Sequence, residues 1–155
     1  MKALIFNSGL GSRLGKLTAK NPKAMVRLGN GETIFGRQLR ILYACGIREF
    51  VITTGPHSEQ LIGEAAKYVG MGCSFTFVPN VIYDKTNYIY SMYRAQEYLR
   101  GSDFIFLHGD LVFDAAYAQM VIDAGADVLV IGTGLFRAKD PKAVVKTVMK
   151  AAEGK

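Results

Sequence analysis

No run of apolar residues in this 155-residue chain approaches the ~18–20 needed to cross a bilayer. The opening Met1–Asn7 stretch is too short and too soon polar to serve as a signal peptide. A soluble, cytoplasmic protein with no membrane partner is therefore expected. Cysteine is scarce as well: Cys45 and Cys73 stand far apart in apolar surroundings, with no Cys-x-x-Cys or histidine spacing. That argues against a disulfide framework or a zinc site and leaves two buried thiols as the expectation. Acidic residues are missing altogether before Glu32, whereas Lys2, Arg13, Lys16, Lys20, Lys23 and Arg27 precede it. Over the whole chain 19 basic side chains face 13 acidic ones, a net charge of +6 that suggests an anionic ligand. Nucleic acid is not the expected partner, because the basic residues fall in a glycine-rich loop rather than along a helix face and no DNA- or RNA-reading motif is visible.

Half of the chain is hydrophobic and 21% is charged, the balance of one globular domain with a sizeable core. Disorder, collagen and repeat arrays are excluded on that ground. Short apolar runs alternate with helix-length amphipathic stretches from end to end, the pattern of an α/β domain. Strands are predicted over 2–8, 49–54, 73–78, 104–108 and 128–131, and helices over 33–45, 58–69, 87–99 and 115–124. A last helix starts at Asp140-Pro141, an N-cap followed by proline at the first helical position. Phe35, Leu39 and Leu42 form the inward face of the first helix; Leu61, Ile62, Ala65 and Val69 that of the second, which Ser58 opens; and Ile89, Met92, Tyr93 and Leu99 that of the third. Val144, Val145, Val148 and Met149 do the same for the last, and its lysines 139, 142, 146 and 150 read as a solvated face. Right-handed crossovers turn this order into a three-layer, Rossmann-like, doubly wound sheet, mainly parallel and of about five strands. Such sheets bind ligands outside the carboxyl ends of their strands. Three places follow from that rule: Gly9 to Lys23 after the first strand, Asp110 after the fourth, and Gly132-Thr133-Gly134 after the fifth.

The first loop reads Asn7-Ser8-Gly9-Leu10-Gly11-Ser12-Arg13-Leu14, then Thr18 and Asn21-Pro22-Lys23. Glycines let backbone N–H groups approach an anion, and Arg13 and Lys23 add positive charge, so a triphosphate fits. A dinucleotide fingerprint fits poorly: it requires glycine where Leu14 stands and an acid at the end of the second strand, where Thr53 and Thr54 stand. A Walker P-loop is excluded because no Gly-Lys-Ser/Thr follows. The competing reading is a tight turn edged by solvated lysines, and Asp110 taken alone could simply begin a turn. His57, beside Pro56, reads as a surface residue at a helix start, and His108 flanks Asp110. Tyr83, Tyr88, Tyr90, Tyr93 and Tyr98 could cage a quaternary ammonium group, but their helical spacing favours packing for most of them.

Gly9-Leu10-Gly11-Ser12-Arg13-Leu14, followed by Asn21-Pro22-Lys23-Ala24-Met25 and Leu28-Gly29, resembles the signature of the sugar-phosphate nucleotidyltransferases, G-x-G-[ST]-R-[LM] with a later P-K. The resemblance implies a loop of Ser8, Gly9, Gly11 and Ser12 around a nucleoside triphosphate, with Arg13 and Lys23 as the catalytic cations on its phosphates and Asp110 as the Mg²⁺ ligand. The stretch from Tyr83 to Tyr93 is similar to the N-x-Y-S-L segment of the choline-phosphate cytidylyltransferase branch, which adds Asn87 to the nucleotide-binding residues. By that resemblance CTP is the preferred nucleotide, and a small phosphorylated acceptor such as phosphocholine receives CMP while pyrophosphate leaves.

This likeness covers residues 1–114, and the second metal-binding acid of the family is not found. Residues 115–155, from Ile122 through Gly132-Thr133-Gly134 to Asp140-Pro141, resemble the last strand-helix unit of ribulose-phosphate epimerase-type barrels. There the loop after the last strand holds phosphate through backbone N–H groups, a role that would fall on Gly132, Thr133 and Gly134. An ordinary turn competes with that role. A whole barrel needs ~250 residues and is excluded. The expected arrangement is one domain over 1–155 with a join near Asp114–Ala118, as in a chimeric, rearranged or engineered chain. The alternative function is a truncated or chimeric α/β domain that binds nucleotide or phosphate without turnover. A shortened sheet is also expected to leave an edge or an apolar patch that a second copy could cover.

Overall fold

A computed structural model of the chain describes residues 1–9 and 11–123, apart from the side chains of Ser12, Arg13, Leu17 and Val121. The expected fifth strand, the last helix and Gly132, Thr133 and Gly134 lie outside the described residues. Strands β1 (Lys2–Asn7), β2 (Glu49–Thr54), β3 (Ser74–Pro79) and β4 (Phe104–His108) form a parallel sheet in the order β3-β2-β1-β4. Helices α1 (Ile34–Ala44), α2 (Ser58–Val69), α3 (Tyr88–Leu99) and α4 (Ala115–Asp123) connect and flank them. This is the Rossmann-like α/β fold expected from the alternation of elements.

The period of two along each strand builds the two faces. Ala3 and Ile5 of β1, Phe50 and Ile52 of β2 and Ile105 and Leu107 of β4 face α1, α2 and α4, where Phe35, Leu39, Leu42, Leu61, Ala65 and Ala118 meet them. Leu4, Phe6, Val51, Val78 and Phe106 face the other way, onto Ala95 and Leu99 of α3. β1 and β2 are covered on both sides, which is why they read as near-continuous apolar runs. β3 is an outer strand of the described sheet. Its Phe75 stacks on Phe50, with ring centroids 4.9 Å apart.

Several expectations about helix faces need correction. α2 opens at Ser58 as expected, preceded by His57 in the left-handed region (φ 62°) with no side-chain cap, but its inward face differs from the expected one. Leu61 and Ala65 are its buried residues, whereas Ile62 (46%) and Val69 (58%) are exposed. In α3 the buried stripe is Ser91, Ala95 and Leu99, at intervals of four, and Ile89 (60%) and Tyr93 (61%) point to solvent. Small residues bring α3 close to the sheet, so its contact stripe is narrow and the larger apolar side chains beside it stay outside. Tyr93 and Tyr98 are likewise exposed, against the expectation of packing for most of the tyrosines. Cys73 is buried as expected, but Cys45 is only half-buried.

The loop from β1 to α1 contains two 3₁₀ turns, Ser12–Thr18 and Lys23–Met25. Gly11, just before the first, has φ 65°, a left-handed backbone that favours glycine. The Thr18 hydroxyl donates to the Gly11 carbonyl at 2.9 Å and folds the loop back on itself. Thr33 then caps α1, its hydroxyl accepting from the Gly36 N–H at 2.9 Å.

Candidate functional site

Strand order determines where a cleft can open. The chain steps outward from β1 to β2 to β3 and then crosses back to place β4 on the other side of β1. The connections leaving β1 and β4 therefore part at their carboxyl ends, the switch point at which doubly wound sheets bind ligands. A cleft of about 260 Å³ lies there. It is close to the lower end of small-molecule pockets, ~300–1,000 Å³.

Its floor is the end of β1 and the turn after β4. The Gly109 N–H donates to the Phe6 carbonyl at 2.9 Å, and a Cβ at Gly109 would collide with the Asn7 amide and that same carbonyl. The close approach requires glycine and brings Asp110 beside the loop that follows β1. Lys23, from the second 3₁₀ turn, reaches across and forms an ion pair with the Asp110 carboxylate. Burial alone would raise the pKa of Asp110. The hydrogen bond and charge of Lys23, with a backbone hydrogen bond and the nearby His108, outweigh it and hold the carboxyl below its ordinary value.

One wall is a chain of buried polar groups. Ser8 Oγ donates to Thr53 Oγ1 at 2.9 Å and lies 3.0 Å from Ser91 Oγ. Asn80 Nδ2 donates to Ser91 Oγ at 3.1 Å and to Thr86 Oγ1 at 3.0 Å. Thr53 also accepts the Asn7 N–H at 3.3 Å. The network ties the ends of β1, β2 and β3 to α3, and it satisfies hydroxyls and an amide that would be costly to bury unpaired. Tyr83, Asn87 and Tyr88 also line the cleft, with the Tyr88 ring against Phe6 and His108. Asn87 Oδ1 accepts the Ile89 N–H and caps α3.

Of the residues singled out from sequence, Ser8, Gly9, Gly11, Lys23, Asn87 and Asp110 line this one cleft. The backbone of Ser12 and Arg13 opens the first 3₁₀ turn, but their side chains lie outside the described part of the structure. Asn80, Ser91 and Thr53 were not foreseen. Asn80 directly follows β3 and could have been found by the same carboxyl-end rule that marked Asp110, and Ser91 is the serine of the stretch similar to N-x-Y-S-L; Thr53 carries no comparable signal. Among the described residues, no group of three or more His, Cys, Asp or Glu side chains could hold a metal ion. None of the described helices is long and apolar enough to cross a membrane.

The fold and the placement of its cleft define a Rossmann-like α/β domain with a polar crevice at the switch point. The chain belongs to the MobA-like NTP transferase domain family, whose sequence profile matches residues 3–150. It is similar to the CMP-5'-(3-aminopropyl)phosphonate synthase of Streptomyces rubellomurinus, 31% identical over 126 residues that cover 80% of this chain and 19% of that protein. It is also similar to the CTP:phosphoglutamine cytidylyltransferase of Campylobacter jejuni, 29% identical over 84% of this chain and 52% of that one. Among solved structures, the CTP:phosphocholine cytidylyltransferase of Streptococcus pneumoniae (LicC) superposes with a TM-score of 0.56 at 32% identity, covering 72% of this chain and 50% of that one. The chain thus spans about half the length, or less, of these relatives. The profile runs across the join expected near Asp114–Ala118.

Proposed function

We propose that the chain carries the nucleotide-binding half, or the whole, of a cytidylyltransferase: it binds CTP and transfers CMP to a small phosphorylated acceptor such as phosphocholine. An acceptor phosphate oxygen attacks the α-phosphorus of CTP, a new P–O bond forms, and the bond to the departing pyrophosphate breaks. No covalent enzyme intermediate is needed. The difficulty is electrostatic, since two anions must meet and a third must leave.

The observation that carries this reading is the convergence of Lys23, Asp110 and the glycine loop of Ser8, Gly9 and Gly11 on one cleft at the switch point. Lys23 is the cation for the phosphates, with Arg13 as the second. Ser8, Gly9, Gly11 and Ser12 embrace the nucleotide, and Asn87 lines the same cleft. Asp110 suits Mg²⁺, which is ordinarily bound by one or two carboxylates together with substrate phosphates and water rather than by an all-protein cage. Bound there, the ion would neutralise phosphate charge. The names of two relatives, CTP:phosphoglutamine and CTP:phosphocholine cytidylyltransferase, support CTP as the nucleotide.

Calorimetry with CTP, UTP, GTP, ATP and dTTP, with and without Mg²⁺, tests the reading when followed by a pyrophosphate-release assay with phosphocholine and simple sugar phosphates. CTP-selective, Mg²⁺-dependent binding with release is the expected outcome. Binding without release would identify the domain as a nucleotide binder lacking turnover, and no binding of any nucleotide would sink the reading.

A further inference from the structure

We propose that Gln38 is a positioning residue for Asp110, an inference that rests on the reading of Asp110 given above as a metal-binding carboxylate. Gln38 sits in α1, 1% exposed. Its Nε2 donates to two carbonyls, those of His108 at 3.0 Å and Leu111 at 2.8 Å. These residues begin and end a four-residue turn, closed by the Leu111 N–H donating to the His108 carbonyl at 3.1 Å, and Asp110 lies within it. One side-chain amide therefore grips both ends of the turn.

The orientation of that amide is dictated by its surroundings. Rotated by half a turn, Oε1 would face two carbonyl oxygens, which have no proton to offer. In the orientation observed, Oε1 is buried with no hydrogen-bond partner among the described residues. An unpartnered buried acceptor is a cost that a methionine or leucine of similar volume would avoid. Packing alone thus does not account for an amide at this position, whereas the two donated bonds do.

The neighbouring side chain extends the grip. Arg37 Nε donates to the Phe113 carbonyl at 3.1 Å and its Nη2 to Asp114 Oδ1 at 2.7 Å. From the other side, Gly109 is held against β1 through the Phe6 carbonyl. The Asp110 side chain is itself 40% exposed, so its placement depends on the backbone beneath it. Misplacement of a reacting group by ~1 Å can cost about a hundredfold in rate.

The test is the Mn²⁺ dependence of CTP binding, measured by calorimetry on the full chain, on Gln38→Met, on Asp110→Asn and on Leu39→Ala, a buried control in the same helix. Gln38→Met is expected to raise the Mn²⁺ concentration for half-maximal CTP binding about tenfold, with metal-free CTP affinity within twofold of the original. Leu39→Ala is expected to lower the melting temperature at least as far without moving the Mn²⁺ midpoint. An unshifted midpoint in Gln38→Met, or an equal shift in Leu39→Ala, overturns the proposal. Should Gln38→Met fail to fold, Gln38→Asn, which keeps the amide but shortens its reach, is read in the same way. Unchanged metal dependence in Asp110→Asn would instead overturn the reading of Asp110 itself, a failure distinct from that of Gln38.

Discussion

Lys23 and Asp110 neutralise each other across the cleft, and the pair has a defined pH window. The Asp110 carboxyl is held below the ordinary ~3.9 of an aspartate, because the hydrogen bond and charge of Lys23 outweigh the effect of burial. A carboxylate depressed on folding contributes stability above its unfolded pKa, and that contribution fades as pH falls through the lowered folded value. Both side chains are more than a third exposed, so solvent screening keeps the energetic share small and the titration itself is the better observable. A carbon-detected NMR titration should place the Asp110 midpoint below the ordinary value, and Lys23→Met should move it upward. A midpoint indifferent to Lys23→Met would refute the pairing. Gly109 offers a sharper steric test. With Asn7 and the Phe6 carbonyl in the way of a Cβ, Gly109→Ala should destabilise the fold by about 1–3 kcal/mol, read as a lower denaturant midpoint. At this scale the candidate site was legible where it follows a strand, as at Gly9, Gly11, Lys23 and Asp110. Thr53 and Gln38 were not legible, because neither stands in a motif and each acts through a partner dozens of positions away, Thr53 with Ser8 across 45 residues and Gln38 with His108 across 70.

Elements were easier to read than the faces they bury. β2, β4 and α2 fall on the residues expected from apolar runs and glycine stops, because those signals are local. Which stripe of a helix turns inward depends on how closely it approaches the sheet, and that is a tertiary fact. α3 shows the difference. Its apolar residues predicted a face through Ile89 and Tyr93, but it approaches the sheet through Ser91 and Ala95, and Ser91 is drawn inward by the hydroxyl network of the cleft. Two substitutions separate these readings. Ile89→Ser, at a solvent-facing position, should leave the unfolding free energy within about 0.5 kcal/mol. Ala95→Leu should cost about 1–3 kcal/mol, since the contact between α3 and Leu4, Val51 and Phe106 has no room for added methylenes. Chemical denaturation of both variants decides the matter, and a large loss in Ile89→Ser would mean that α3 buries its other face.

Over the whole molecule, the basic excess lies where the ligand is expected. Residues ahead of Glu32 carry only positive charge, and they include the loop that faces the cleft. On the proposed reading, a triphosphate entering there would meet a field of its own complement and would compete with Asp110 for Lys23. Ligand linkage turns that expectation into a measurement on the intact chain. A ligand at a hundred times its dissociation constant stabilises the folded state by ~2.7 kcal/mol. For a domain of about this size each kcal/mol moves the melting temperature by ~2–4 °C. Mg²⁺ with CTP at that excess should therefore raise the melting temperature by roughly 5–11 °C. The shift should shrink for Lys23→Ala and Arg13→Ala, and it should lose its Mg²⁺ dependence in Asp110→Asn. Because the chain spans only about half the length, or less, of these relatives, this thermal test separates two properties that a turnover assay confounds. A full shift without pyrophosphate release would place the nucleotide site in this chain and the acceptor chemistry elsewhere, whereas a shift equal for all five nucleotides would assign the cleft to the triphosphate and leave the base unread.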